Sequence, residues 1–301
     1  MNKVQRLINP LHLEGLHHEA DMMRNVDVHR VLYQTCGHQA SVLAKSRSCQ
    51  QHKDESDRNQ RLVIFDKDGT LVCIHAMWAP WIRGIAARLE NATDLDLANK
   101  IFNLVSFDNN TGKIKPGLLG EGTMSQLRDT ITQLLSEEGV PREKAERIVQ
   151  ACWQVREMAN YGDVRAVGDV GHLFGVLKSN GYLIAVNTSD SRGVTEQTLD
   201  HLDLRRYVDI IVCGDDEDVL PKPHPSRPTA QKICSELGVH PSDVIMIGDS
   251  TSDMMLGCNA GFRYSIGVLT GIAPREVLER DATYVVDDIH QALHLILQDS
   301  S

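Results

Sequence analysis

The sequence predicts an α/β protein with a doubly wound parallel β-sheet and a helical segment inserted after the first strand. A short, continuous apolar run at residues 62–65 is typical of a strand that is buried on both faces of a sheet. Residues 76–163 carry apolar side chains at helical spacing. From residue 182 onward, short strand patterns alternate with helix patterns, which favours a parallel sheet with helices on both faces.

Length and composition exclude several classes of protein. The chain has 301 residues, 42% of them hydrophobic and 24% charged, so it can bury a substantial core. Its formal net charge of −10 argues against general binding to nucleic acid or anionic membranes. No apolar run approaches the ~20 residues that a membrane-spanning helix requires. Cysteines occur without any C-x-x-C pair, which favours reduced thiols in an intracellular protein.

Residues 1–60 differ in character from the rest of the chain. They are rich in histidine and end in a polar tract that is typical of a linker. The segment lacks the apolar stretch of a secretory signal, and it carries more acidic residues than organelle transit peptides do. We expect an extension that is flexible or partly helical, has no catalytic role and belongs to a cytoplasmic protein. Organelle targeting by this extension is the alternative.

The inserted segment, residues 76–163, is expected to consist of helices. Its apolar residues fall on one helical face in three stretches, residues 81–89, 127–135 and 145–155. Gly139 ends one helix, and Pro141 opens the next at a position where proline is tolerated. A glycine-rich stretch at residues 109–123 interrupts the helices.

The remaining chain predicts a core domain built from residues 61–75 and 164–301. Strands are predicted at residues 182–187, 208–212, 244–247, 263–266 and 284–286. Helices are predicted at residues 169–179, 194–202, 228–237, 253–260 and 289–297. Together with the first strand, this alternation predicts one parallel sheet.

Polar and charged residues follow four of the predicted strands. In chain order they are Asp66 and Asp68, Thr188 and Ser189, Lys222, and Asp249 and Asp253. Because the carboxyl ends of parallel strands lie at one edge of a sheet, these side chains can converge. Carboxylate oxygens at Asp66 and Asp249 suit Mg²⁺, which is a hard ion.

This set of residues fits phosphoryl transfer to a carboxylate. Asp66 can attack a phosphate and form an aspartyl phosphate. The repulsion between the two anions at about 4 Å is on the order of 8 kcal/mol, so a cation must offset it. The Thr188 hydroxyl and the backbone N–H groups around Ser189 can bind phosphate oxygens, and Lys222 adds positive charge. Asp68 can protonate the leaving alkoxide and then deprotonate the attacking water.

The DKDGT stretch, the Thr188 strand end, the Lys222 loop and the GDSTSD stretch resemble the four motifs of the haloacid dehalogenase-type phosphohydrolases. The resemblance covers residues 61–297. Within the superfamily, the layout looks most like that of phosphoglycolate phosphatases. It implies a sheet of strand order 5-4-1-2-3 and a helical cap domain at residues 76–163. It implies a Mg²⁺ site formed by Asp66, the backbone carbonyl of Asp68, Asp249 and Asp253. It also implies a phosphoryl-binding set of Thr188, Ser189 and Lys222.

The implied function is hydrolysis of a small, phosphoglycolate-like phosphomonoester by a monomer or homodimer. A phosphosugar mutase of the same superfamily is one alternative, because it needs the same Asp66 and Asp68. A non-catalytic phosphate-binding regulatory protein is another, although all four motifs are intact. A dehalogenase is disfavoured, because it has no use for Asp68 as an acid for the leaving group.

Five further residues near these motifs have more than one interpretation. We expect Lys67, between the two aspartates, to point away from the metal. We expect Trp78 and Trp81 to pack the insert onto the core, with lining of a substrate mouth as the alternative. Lys113 and Lys115 could meet a substrate carboxylate or be solvated.

Overall fold

The computed structural model describes residues 60–154, 164–217 and 227–299. In these ranges the strands are β1 (Arg61–Phe65), β2 (Phe107–Asp108), β3 (Lys113–Ile114), β4 (Tyr182–Asn187), β5 (Ile210–Val212), β6 (Val244–Gly248), β7 (Tyr264–Val268) and β8 (Tyr284–Val286). The helices are α1 (Ile74–Thr93), α2 (Ala98–Leu104), α3 (Leu118–Glu121), α4 (Met124–Glu137), α5 (Arg142–Gln154), α6 (Val170–Ser179), α7 (Arg192–His201), α8 (Arg227–Leu237), α9 (Thr251–Ala260), α10 (Arg275–Leu278) and α11 (Ile289–Gln298).

A six-stranded parallel sheet, of order β5-β4-β1-β6-β7-β8, forms the centre of the described chain. Strand β1 lies between β4 and β6, where Phe65 pairs with Val186 on one side and with Ile247 on the other. Read from its other edge and numbered without the short ribbon strands, the sheet has the order 6-5-4-1-2-3. This confirms the predicted fold class and the implied order 5-4-1-2-3, with one further strand at the edge.

Strand β1 is continuously apolar because both faces of the sheet are covered. Val63 and Phe65 pack in one hydrophobic cluster, where the Phe65 and Phe174 rings lie 5.1 Å apart. Leu62 and Ile64 face the opposite side and pack with residues of α8 and α9. All four of these strand residues are 0% exposed. Helices therefore flank the sheet on both faces, as in a doubly wound fold.

The core elements lie close to their predicted positions. Strands β4 and β8 have the predicted bounds, and each of the other predicted strands and helices after residue 164 ends within two residues of its prediction. The short helix α10 was not predicted. Side-chain caps account for part of this agreement. Asp169, at the start of α6, accepts a hydrogen bond from the His172 N–H at 2.9 Å, which satisfies one of the unpaired donors of a first helical turn.

Helices α1 to α5 pack around a hydrophobic cluster of their own. Each contributes a buried residue, namely Ile82, Ile101, Leu119, Leu127 and Val149. Helix α1 begins at Ile74, seven residues before the stripe that predicted it, and it contains Pro80. Proline removes one hydrogen bond from a helix interior, and burial of the apolar face of α1 compensates for that loss. The predicted domain boundary at residue 76 falls inside this helix, and the division into two domains stays a prediction.

An antiparallel ribbon that the sequence did not predict spans the start of the glycine-rich stretch of the insert. Phe107 pairs with Ile114, and Asp108 pairs with Lys113. The Asp108 carboxylate accepts a hydrogen bond from the Asn110 N–H at 3.0 Å and so shapes the turn. Strands of two residues are too short to produce an alternating pattern.

Two further predictions concern membrane-spanning helices and the state of the cysteines. No helix in the described ranges is long and apolar enough to cross a membrane. The five cysteines in those ranges, Cys73, Cys152, Cys213, Cys234 and Cys258, are free thiols. Residues 1–59 lie outside the described ranges, so the predicted extension is not tested.

Candidate active site

Three carboxylates converge at the carboxyl edge of the sheet. Asp66 directly follows β1, Asp249 directly follows β6, and Asp253 lies in the first turn of α9. Each offers one oxygen, and these oxygens lie within 4.8 Å of one another. The three residues are at most 8% exposed. Oxygen donors this close together and this well buried form a candidate site for a hard divalent cation.

Hydrogen bonds orient two of these carboxylates. One Asp253 oxygen accepts the Ser250 hydroxyl at 2.7 Å and the Ser250 N–H at 3.2 Å, and Ser250 in turn caps helix α9. One Asp249 oxygen accepts the Ile272 N–H at 2.8 Å. Ile272 belongs to the loop after β7, which the sequence did not place at the site.

Glycines leave the space that these carboxylates occupy. A Cβ atom on Gly69 or Gly271 would overlap the Asp249 carboxylate, and one on Gly248 would overlap that of Asp253. Gly69 also has φ +90°, a conformation that residues with a side chain rarely adopt. The backbone therefore closes on the carboxylate cluster from three segments of the chain.

Asp68 occupies a different environment from the cluster. One of its oxygens accepts the Trp78 indole N–H at 3.0 Å. The other lies 2.7 Å from the Lys67 ammonium, which is fully buried and also donates to Asp190 at 3.1 Å. Burial alone would lower the pKa of Lys67, but the charges and hydrogen bonds of Asp68 and Asp190 outweigh it and raise that pKa. Asp68 is thus held from both sides as an oriented carboxylate.

Trp78 combines two roles that the sequence offered as alternatives. It is 3% exposed and packs edge-on against Trp81, with ring centroids 5.2 Å apart. Trp81 packs in the same way against Trp153 of α5 at 5.0 Å. Trp78 also lines the cavity that contains Asp66 and Asp68. The packing of the insert therefore positions the indole N–H that binds Asp68.

Two of the three predicted phosphoryl-binding residues also line this cavity, whose volume is about 30 Å³. The Thr188 hydroxyl accepts the Asp190 N–H at 3.1 Å, so its own proton points elsewhere and can be donated. Ser189 donates from its hydroxyl to the Glu121 carbonyl at 3.5 Å. Lys222, the third residue, lies outside the described ranges. The roles assigned to all these residues stay predictions.

Glu121, from helix α3, is a residue of this cavity that the sequence did not reveal. Its carboxylate accepts a hydrogen bond from the hydroxyl of Thr251 at 3.1 Å. Thr251 lies two residues after Asp249 in the chain. Burial is the main cause that raises the Glu121 pKa.

Lys113 and Lys115, by contrast, are exposed residues of the ribbon region, and Lys115 lies 3.7 Å from Asp108. Neither lysine lines the cavity, so the structure favours the solvated interpretation.

Comparisons with known proteins give the same picture of the fold. The family model described as haloacid dehalogenase-like hydrolase matches residues 60–261. The chain is 26% identical over 238 residues to a phosphoglycolate phosphatase of Salmonella typhi, covering 77% of this chain and 90% of that protein. It is 26% identical over 235 residues to a pyrophosphatase of Bacillus mycoides, covering 78% and 95%.

Two solved structures illustrate the likeness in three dimensions. A predicted phosphoglycolate phosphatase from Haemophilus somnus is 19% identical with a TM-score of 0.60, covering 79% of this chain and 98% of that one. A β-phosphoglucomutase from Clostridium difficile is 20% identical with a TM-score of 0.56, covering 80% and 96%. At these identities the likeness establishes the fold alone.

Proposed function

The chain belongs to the haloacid dehalogenase-like hydrolases, and we propose that it is a Mg²⁺-dependent phosphatase that forms an aspartyl phosphate. Its substrate class is a small, phosphoglycolate-like phosphomonoester. The observation that carries the proposal is the cluster of Asp66, Asp249 and Asp253, two of which, Asp66 and Asp249, line one cavity with Asp68. Relatives named as phosphatases support assignment to the phosphoric monoester hydrolases.

The carboxylate cluster fits Mg²⁺, because the ion prefers oxygen donors and binds through a few carboxylates. The side chains of Asp66, Asp249 and Asp253 and the carbonyl of Asp68 would hold it. When bound, the ion supplies the positive charge that offsets repulsion between Asp66 and a phosphate.

The protein residues divide the reaction between them. Asp66 forms a bond to phosphorus while the bond to the leaving oxygen breaks. Asp68, in its acid form, gives that oxygen a proton and is left as the carboxylate that Lys67 and Trp78 hold. Asp68 then takes a proton from water, which attacks phosphorus and releases inorganic phosphate and Asp66. Thr188, the backbone at Ser189 and Lys222 are the residues proposed to hold the phosphate oxygens. Trp78 and Lys67 keep Asp68 aimed at the leaving oxygen.

Metal removal tests the proposal directly. Hydrolysis of p-nitrophenyl phosphate would be followed in Mg²⁺, in EDTA, and after Mg²⁺ is restored. Chelation is expected to lower kcat/KM by at least about 10²-fold, since a metal charge stabilises such a transition state by several kcal/mol. Full activity in EDTA would contradict the proposal. Conversion of glucose 1-phosphate without phosphate release would instead support the mutase alternative.

A second prediction concerns the packing around Asp249. Gly271→Ala is expected to lower kcat/KM by roughly 10²-fold, since displacement of a reacting group by about 1 Å has that effect. It should also raise the Mg²⁺ concentration needed for half-maximal activity. Gly193→Ala in α7 is the matched control, because a Cβ there meets no atom within 4 Å. Equal activity of the two variants would show that Asp249 tolerates the added methyl group.

Three properties accompany this proposal as predictions. The protein acts in the cytoplasm as a monomer or homodimer. It binds neither nucleic acid nor membranes. Residues 61–75 and 164–301 form the catalytic core, and residues 76–163 form a cap.

A further inference from the structure

Two hydrogen bonds from residues at the carboxyl edge of the sheet hold Glu121 at the cavity. Its carboxylate accepts the Thr251 hydroxyl at 3.1 Å, and its carbonyl accepts the Ser189 hydroxyl at 3.5 Å. Glycines flank it, and a Cβ on Gly120 would press on Ile272 while one on Gly122 would press on the carbonyl of Leu118. The helical insert therefore presents this carboxylate to the cavity in a defined position.

A second polar group of the cavity has an unused hydrogen-bonding capacity. Ser252 is 5% exposed and lines the cavity. Within the described ranges its buried hydroxyl has no hydrogen-bond partner. Buried hydroxyls in folded proteins are usually paired, so this one has hydrogen-bonding capacity that the described residues do not use.

The described lining of the cavity offers no cation to a substrate carboxylate. None of the described residues that line it is lysine, arginine or histidine. The Lys67 ammonium lies nearby but is shared between Asp68 and Asp190. Lys222 is assigned by resemblance to the phosphoryl group. Among the described lining residues, an anionic leaving group would therefore face Glu121 and meet no cation.

We infer that the preferred phosphomonoester has a leaving group that donates hydrogen bonds and carries no carboxylate, as polyols, sugars and amino alcohols do. Glu121 accepts a hydrogen bond from this group, and the Ser252 hydroxyl pairs with a second polar atom. The inference rests on the proposed phosphatase function and names the substrate class of the same site. Among small esters of the size of phosphoglycolate, it favours those whose leaving group ends in a hydrogen-bond donor over phosphoglycolate itself.

Three substrates of equal chain length test the inference. They are 2-hydroxyethyl phosphate, 2-aminoethyl phosphate and phosphoglycolate, which differ only in the terminal group. We expect wild-type kcat/KM for each of the first two to exceed that for phosphoglycolate by at least about 10-fold, because like charges repel in a poorly solvated cavity. Preference for the amino over the hydroxyl compound would identify amino alcohols as the source of the donor, and the reverse would identify polyols.

Glu121→Gln removes the charge with little change in shape, so it isolates the cause. It should shrink the preference against phosphoglycolate by at least about 5-fold, measured as the ratio of kcat/KM values. Glu143→Gln, at an exposed position of α5, is the control and should leave the ratio unchanged. Melting temperatures of both variants would establish that they are folded.

The outcomes separate this inference from the proposed function. Wild-type hydrolysis of phosphoglycolate at a rate equal to that of 2-hydroxyethyl phosphate would overturn the inference and leave the phosphatase assignment standing. An unchanged ratio in Glu121→Gln would overturn it as well. Absence of hydrolysis of all three compounds and of p-nitrophenyl phosphate would instead overturn the proposed function.

Discussion

Replacement of Asp66 by asparagine is expected to lower kcat/KM for p-nitrophenyl phosphate by at least about 10³-fold, the scale seen when an enzyme loses its nucleophile. An amide oxygen is a much weaker nucleophile than a carboxylate, and it also offers less charge to a metal. Asp66 is 8% exposed, and its N–H donates to the Ile247 carbonyl at 2.9 Å. The isosteric change should therefore leave the strand end in place.

Two measurements connect this loss to the proposed intermediate. Acid quenching of the wild type during turnover should trap a phosphorylated protein whose label maps to Asp66, and the variant should trap none. Asp200→Asn, at an exposed position of α7, is the matched control and should retain activity. A variant at position 66 that kept more than about 10% of the wild-type rate would exclude Asp66 as nucleophile.

The sheet could be predicted because its strands obey simple physical rules. Both faces of β1 are covered, so residues such as Leu62 and Val63 on opposite faces must both be apolar. Two core helices, α6 and α9, carry their own start signals, Asp169 and Ser250. The apolar stripe that predicted α1 began only at residue 81, although Ile74 and Trp78 extend the same apolar face on the other side of Pro80.

The polar contacts of the site were harder to predict, because they depend on turns and on distant segments. Glu121 comes from a helix of four residues, and its partner Thr251 is 130 residues away. The direction of the Lys67 side chain depends on the turn after β1, in which the N–H groups of Leu71 and Val72 donate to the Lys67 carbonyl. No local spacing in the sequence encodes either contact.

Lys67 is expected to have the largest effect on stability in the site. Lys67→Met leaves the carboxylates of Asp68 and Asp190 without their shared buried cation. Loss of one partner of a buried ion pair costs about 3–5 kcal/mol, and urea unfolding should register a loss of that size. Because the pKa of Lys67 is raised above the ordinary lysine value of 10.5, its ammonium stays charged at any pH below that value. The stability it provides is therefore present at neutral pH and is lost only as pH rises through the raised pKa.

Catalysis should also depend on Lys67, because it orients Asp68. In Lys67→Met, hydrolysis of alkyl phosphates should fall more than that of aryl phosphates, since only poor leaving groups need a proton from Asp68. Adding Asp190→Asn removes one of the two buried negative charges that Lys67 would otherwise neutralise. The double variant should therefore regain part of the stability but not the rate on alkyl phosphates.

A surface ion pair provides the control for the Lys67→Met variant. Lys100 lies 2.6 Å from Glu138, with its side chain 49% exposed. Lys100→Met should change the free energy of unfolding by at most about 1 kcal/mol, because solvent screens exposed pairs. It should alter neither substrate rate. If Lys67→Met were no more harmful than Lys100→Met, or slowed aryl and alkyl phosphates equally, Lys67 would not position Asp68. The contrast separates the effect of a buried cation from the general effect of losing a lysine.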